Sequence, residues 1–341
     1  MILIPLLGLQ LAHSALWFES KMQIPDTHKL ITNTVVAVID TGLDTSHPAL
    51  KDSLWTNIGE SGFDKNGRNK SNNQIDDDKN GYVDDVHGWN FAKNNSDIRD
   101  DHGHGTHVSG LIAAHSDQFS GVARGAKIMI LKYFDPKAPA SGNLMNSVRA
   151  IKYASLMGAH LINYSGGGME PFEPERLALL EAAKKEILVV AAAGNEQTNS
   201  DLIQFYPASY KLKNIISVAA IGPQGARVPS SNWGPQGVHI SAPGENILST
   251  YPGQKMVEMT GTSQATALVT AVLCHLRESR RNNFKSEELV KILIGSSVFN
   301  KKLIGLNHNP TEVSLKRAMS MKESDEDETL LSNKTAELAF P

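Results

Sequence analysis

No stretch constrains the fold more than Thr34-Val-Val-Ala-Val-Ile-Asp40. Its five consecutive apolar residues, four of them β-branched, cannot form a half-wetted strand, because alternate side chains would then face water. Such a strand needs a covering layer on both faces. Similar runs recur at Ala126–Leu131, His160–Tyr164 and Ile187–Ala192, and further strands are expected at about 214–221, 237–241 and 247–251. Helical periodicity lies between and after them, over Leu144–Met157, Pro174–Lys185, 263–280 and 286–296. Strands alternating with helices predict an α/β fold, with a mostly parallel central sheet and helices on both faces. Such sheets collect their chemistry beyond the carboxyl ends of the strands. The segments that leave those ends are therefore informative: Asp40-Thr41-Gly42, Ser165-Gly166-Gly167-Gly168 and Ala193-Gly194-Asn195.

At 341 residues the chain has room for one large core, and the periodic region predicts a single domain over residues 16–320. The formal net charge of −3 is too small to suggest a nucleic-acid partner. A phosphate loop and a Gly-x-Gly-x-x-Gly after the first strand are both missing from the sequence, so nucleotide binding has no support. Residues 1–15 read as a signal peptide, with an apolar run and small Ala12, Ser14 and Ala15 near its end, although a basic n-region is lacking. That run is too short to span a membrane, and a secreted or periplasmic location is expected. Residues 321–341 lose all periodicity and gather Glu323, Asp325, Glu326, Asp327 and Glu328, as a flexible acidic tail would. The single cysteine, Cys274, excludes an internal disulfide and reads as a small buried residue.

Three polar stretches carry candidate chemistry. Within a long polar insertion from about 51 to 101, Asp76, Asp78, Asn80, Tyr82 and Asp84 alternate as oxygen ligands around Gly81, like the start of a calcium loop. The twelfth position holds His87 rather than glutamate, so the choice between bound calcium and a solvated acidic loop stays open. His102, His104 and His107 follow at the head of a helix. They suit either a zinc cluster or one general base among structural neighbours. Finally Gly261-Thr262-Ser263 precedes a long helical pattern. A glycine there allows a sharp turn, and Ser263 is either a helix cap or a nucleophile with backbone N–H groups beside it.

Taken together, Asp40, His104, Asn195 and Ser263 stand in the order Asp, His, Asn, Ser. Val38-Ile-Asp-Thr-Gly42, His104-Gly-Thr-His-Val-Ser-Gly110, Ala192-Ala-Gly-Asn195 and Gly261-Thr-Ser263 resemble the motifs of subtilisin-like serine peptidases. Ile162–Gly168, Tyr206–Ser209 and Ala242–Gly244 extend the resemblance across about residues 17–319. It implies a serine endopeptidase of broad specificity, with Ser263 as nucleophile, His104 as base, Asp40 orienting that base, and Asn195 in the oxyanion hole. It also implies an extended substrate between Ala140-Ser141-Gly142 and Ser165-Gly166-Gly167, with Phe205 narrowing the pocket for the residue before the cut. No catalytic cofactor is implied, though structural calcium is compatible; protein or peptide substrates and a monomer are expected. Two other readings stand beside this one: an inactive subtilisin-like binding module and, more remotely, a zinc hydrolase using His102, His104 and His107. The sequence departs from the family pattern at Ala267 and Ala271, where a proline and a glycine are common, and at Ala49, where some relatives have a calcium-ligating aspartate. Too few residues precede Asp40 for the pro-domain usual in secreted relatives.

Overall fold

The computed structural model describes residues 16–25, 34–117, 119–280 and 285–321. The signal-like segment and all but the first residue of the acidic tail lie outside these described residues. Helix α1 (Trp17–Met22) leads into β1 (Val35–Asp40), the continuous apolar run singled out above. After the polar insertion, which carries the short strand β2 (Gly88–Asn90), come α2 (His104–Ala113), β3 (Lys127–Lys132) and α3 (Ala140–Leu156). Strand β4 (Leu161–Tyr164), α4 (Glu173–Lys184), β5 (Leu188–Ala192), β6 (Ile215–Ile221) and β7 (Ile240–Pro243) complete the alternation. The chain then forms the strands β8 (Ile247–Tyr251) and β9 (Lys255–Met259), the long helix α5 (Thr262–Ser279) and α6 (Ser286–Gly295). Short pieces β10 (Val298–Phe299), β11 (Thr311–Glu312) and α7 (Leu315–Ser320) close the described region.

The main sheet has the order β10-β11-β7-β6-β5-β4-β1-β3-β2, and every pairing in it is parallel except β10 with β11. Its two faces bury different residues of the same strands, as a period of two requires. Val36 and Val38 of β1 pack with Leu111 of α2 and Leu268 and Val272 of α5. Ala37 and Ile39 pack on the opposite side with Ile151 of α3 and Leu179 of α4. Helices therefore cover both faces, as the apolar runs predicted. Strand order reverses at β1, which has β3 on one side and β4 on the other. That reversal opens a crevice at the carboxyl edge of an α/β sheet.

Four details differ from the sequence reading. Helix α3 begins at Ala140 rather than Leu144. Asn143 exchanges two hydrogen bonds with the Asp135 backbone, and the Gly142 and Asn143 N–H groups turn back to the Pro139 carbonyl, which winds the first turn early. The stretch expected as a strand at 237–241 starts at Ile240. Residues 247–251 leave the main sheet to form a separate antiparallel hairpin with β9. Strand β9 itself, Lys-Met-Val-Glu-Met, is at most half-buried and lacks the apolar continuity that marked the others. Helix α5 runs unbroken through Ala267 and Ala271, both fully buried, in keeping with the high helix propensity of alanine.

Candidate active site

Asp40 ends β1, buried, where the strand order reverses. Its Oδ1 accepts from His104 Nδ1 at 2.8 Å and from the Thr41 N–H at 2.7 Å. His104 is the first residue of α2, so its ring leaves the helix at its open end. Burial pulls the imidazole pKa down, but the charge and hydrogen bond of Asp40, with Asp100 behind, outweigh it and hold the pKa above its ordinary value. With Nδ1 donating to a carboxylate, Nε2 is the nitrogen left to accept a proton.

Ser263 lies in the first turn of α5, 6% exposed. Its Oγ donates to the Ser165 carbonyl at 3.0 Å, and Ser165 Oγ returns a bond of 3.1 Å to the Ser263 carbonyl. This reciprocal pair joins the end of β4 to the head of α5. Asn195 follows β5, and its Oδ1 accepts from the Thr262 N–H at 3.0 Å. With its oxygen held this way the amide keeps its NH2 as a donor, and Asn195 and Ser263 line the same cleft. First-turn N–H groups have no intrahelical acceptor, so the pair can serve an oxyanion. Gly261 was expected to supply an unusual backbone turn, yet its φ of 161° is ordinary extended backbone. A Cβ there would lie 3.4 Å from both amide atoms of Asn195 and 3.3 Å from Gln264 Oε1, a snug fit against the Asn195 side chain.

Asp40, His104, Asn195, Ser263, Ser165, Gly166, Gly167 and Phe205 line one cleft of about 280 Å³, together with Thr41, His102, Tyr133 and Phe134. Ala140, Ser141 and Gly142 are not among its lining residues, and their place in the first turn of α3 forms no extended edge for pairing a substrate. Tyr133 and Phe134 escaped the sequence reading, although they directly follow a strand that ends on the sheet's active side. The ring of Phe205 sits between two glycine walls. A Cβ on Gly167 would come within 2.6 Å of Phe205 Cε1, and one on Gly194 within 2.8 Å of Phe205 Cγ. Its backbone is held by the Ser209 hydroxyl, and the next residue, Tyr206, exchanges two hydrogen bonds with Gly168.

The three histidines do not converge. His107 is fully buried, and its Nε2 faces the carbonyls of Ile247 and Val257 at 3.0 and 3.2 Å. Burial pushes its pKa down to about 4, and as a neutral ring it ties α2 to the β8–β9 hairpin. His102 is exposed, with its ring centroid 6.3 Å from that of His104. The zinc reading therefore lacks its three-ligand set.

The acidic insertion also differs from its spacing pattern. Among the described residues, the carboxylates that lie close enough to share a metal ion are Glu60, Asp78 and Asp85, with oxygens within 4.8 Å of one another. Of the three carboxylates expected as ligands, Asp76, Asp78 and Asp84, only Asp78 belongs to this group. Asp76 accepts from the Asn80 and Gly81 N–H groups, Asp84 from Gln74, and Asn80 bonds to Asp78 and Asp85. Tyr82 packs its ring edge-on against Trp89 and Tyr153.

Comparison with known proteins agrees with this architecture. A model of the subtilase family matches residues 32–326. The major intracellular serine protease of Bacillus subtilis is 34% identical over 257 residues, covering 74% of this chain and 71% of that protein. The cell wall-associated protease of the same organism is 34% identical over 267 residues, 76% of this chain and 26% of that one. For the thermostable alkaline protease of Halalkalibacterium halodurans the identity is 36% over 204 residues, 59% of this chain and 54% of that one. The chain thus spans most of the first relative but about a quarter of the second and half of the third. A mutant of the protease domain of PatA shares the fold, with a TM-score of 0.65 at 24% identity, covering 87% of this chain and 97% of that one. From the family match and the extent of the first relative, the chain belongs to the subtilase family of peptide hydrolases.

Proposed function

We propose that the chain is a serine endopeptidase in which Ser263 attacks the peptide carbonyl and passes through an acyl-enzyme. The observation that carries this reading is the 2.8 Å bond from His104 Nδ1 to Asp40 in a cleft that Ser263 and Asn195 also line. To react, the Ser263 hydroxyl exchanges the Ser165 carbonyl for His104 Nε2, which removes its proton during attack. Asp40 holds the tautomer and stabilises the imidazolium, and His104 then returns the proton to the leaving amine. The Asn195 NH2 and the Ser263 N–H take the oxyanion charge. No catalytic cofactor enters these steps. A serine-directed phosphonate is expected to add one equivalent of mass, on Ser263. An unmodified protein that retains peptidase activity would contradict the assignment, and an unmodified, inactive protein would favour a binding module on the same fold.

The substrate lies against Ser165, Gly166 and Gly167, while Phe205 fills the space between the glycine walls. Small side chains before the scissile bond are then preferred. A peptide library should be cut after alanine, glycine or serine over phenylalanine by about 10²-fold, the range that pocket size can enforce. Phe205→Gly should admit large residues; wild-type cutting mainly after aromatics would sink this specificity.

Glu60, Asp78 and Asp85 fit a structural calcium by donor chemistry, since the ion takes carboxylate oxygens. It would brace the insertion, whose three carboxylates are not among the residues lining the cleft. Calcium should raise Tm by a few degrees, at about 2–4 °C per kcal/mol, and Asp78→Asn should remove the effect. Equal melting in calcium and in chelator would refute the site. The domain reading of residues 16–320 stands with this proposal, as does monomeric action on protein substrates. Secretion or periplasmic export rests on residues 1–15 alone, and the names of the relatives include both an intracellular and a cell wall-associated protease. Among the described residues, no helix is long and apolar enough to cross a membrane.

A further inference from the structure

The strongest unassigned feature beside the cleft is Asp100, a carboxylate 7% exposed that reacts with nothing. Five donors converge on it. Oδ1 accepts from Thr41 Oγ1 at 2.9 Å, the His102 N–H at 3.0 Å and the Gly103 N–H at 2.8 Å. Oδ2 accepts from the Thr106 N–H at 2.9 Å and from Thr106 Oγ1 at 2.7 Å. Burial alone would raise its pKa, but these donors hold it below the usual carboxylate range.

Each donor belongs to one half of the Asp40–His104 pair. His102, Gly103 and Thr106 bracket His104 at the head of α2, a helix end that favours negative charge. Thr41 adjoins Asp40, and its N–H donates to the same Asp40 oxygen that receives His104. The Thr41 hydroxyl gives its proton to Asp100 and accepts the Gly105 N–H at 3.0 Å, so it is committed in both directions. A continuous chain of hydrogen bonds therefore runs from His104 through Asp40, Thr41 and Asp100 back to the backbone on either side of His104.

We propose that Asp100 is a positioning residue, which clamps the end of β1 to the start of α2 and so sets the Asp40–His104 pair for proton transfer. This inference rests on the roles assigned above to Ser263, His104 and Asp40. The conservative change Asp100→Asn keeps the volume but not the function. Whichever way the amide is placed, its NH2 faces at least two donors, which opens the clamp. The charged and titratable groups facing His104 are Asp40 from β1, Asp100 from the preceding loop, and His102 and His107 on its own segment.

The test compares the full chain with Asp100→Asn and Thr41→Val on a chromogenic peptide bearing alanine before the scissile bond. Both variants should lower kcat by about 10–100-fold with KM within about threefold, since a small misplacement of a catalytic group costs about that much. Removing the Asp100 charge takes away one of the influences that raise the His104 pKa. The acid limb of kcat/KM should therefore move to lower pH in Asp100→Asn and stay in place in Thr41→Val, which a purely structural role would not produce. Should Asp100→Asn fail to fold, Thr41→Val carries the test, because it leaves the bonds from Asp100 to α2 intact. A wild type that takes the phosphonate while a folded variant keeps kcat within threefold overturns this inference alone. A wild type that neither turns over nor takes the phosphonate overturns the underlying reading, and this inference with it.

Discussion

Ser263→Ala is expected to lower kcat by about 10⁶-fold, the size of effect seen when a triad nucleophile is removed, while KM stays nearly unchanged. The loss is that large because the attacking oxygen itself is removed, and neighbouring hydroxyls are committed elsewhere: Thr41 Oγ1 donates to Asp100. The Ser165 hydroxyl is turned away, bonded to the Ser263 carbonyl. The variant should still fold, since Ser263 contributes one hydroxyl hydrogen bond, to the Ser165 carbonyl, and alanine suits the first turn of a helix. A residual rate of roughly 10³–10⁴ over the uncatalysed reaction should remain, because binding and the oxyanion donors persist. Steady-state kinetics on the purified variant, with its melting curve beside the wild type, decides the matter. A folded variant within tenfold of wild type would remove Ser263 from the mechanism.

Asn195→Ala should cost about 10²–10³ in kcat, with little change in KM, because the charge its NH2 stabilises develops only in the transition state. The geometry adds a second expectation. Asn195 also accepts the Thr262 N–H, so alanine leaves that donor facing a gap, and a loss of about 1 kcal/mol in stability should accompany the kinetic defect. Asn195→Asp separates the two contributions. It restores an acceptor for Thr262, yet it presents negative charge to a developing oxyanion. Stability should recover while kcat stays low. Recovery of both would show that the side chain acts through structure alone.

How legible these features were in the sequence depended on whether the cause was local. Strands β1, β3, β4, β5 and β6 were readable because burial on both faces leaves a continuous apolar run. Asp40, Asn195 and Ser263 were readable because each sits where such a run ends or a helix begins. The start of α3 was missed because it depends on Asn143 reaching back to the Asp135 backbone, which no propensity records. Glu60 was missed from the acidic cluster because it comes from a turn well before the repeating aspartates, so no spacing rule could include it. Asp100 looked like one more aspartate in a polar loop, and only its five donors distinguish it. Gly261 was noticed for an unusual backbone angle that it does not adopt, its φ being that of extended backbone.

Helix α5 is buried from Thr262 through Leu276 and packs against the central strands. Helix ends usually fray first, opening on their own for far less free energy than global unfolding. Here the end that carries the hydroxyl is stitched into the most protected part of the molecule, by Asn195 on one side and Ser165 on the other. Local opening cannot release it without dismantling the sheet beneath. Ser263 therefore shares the lifetime of the whole fold, and on the role proposed for it a molecule still folded is a molecule still armed.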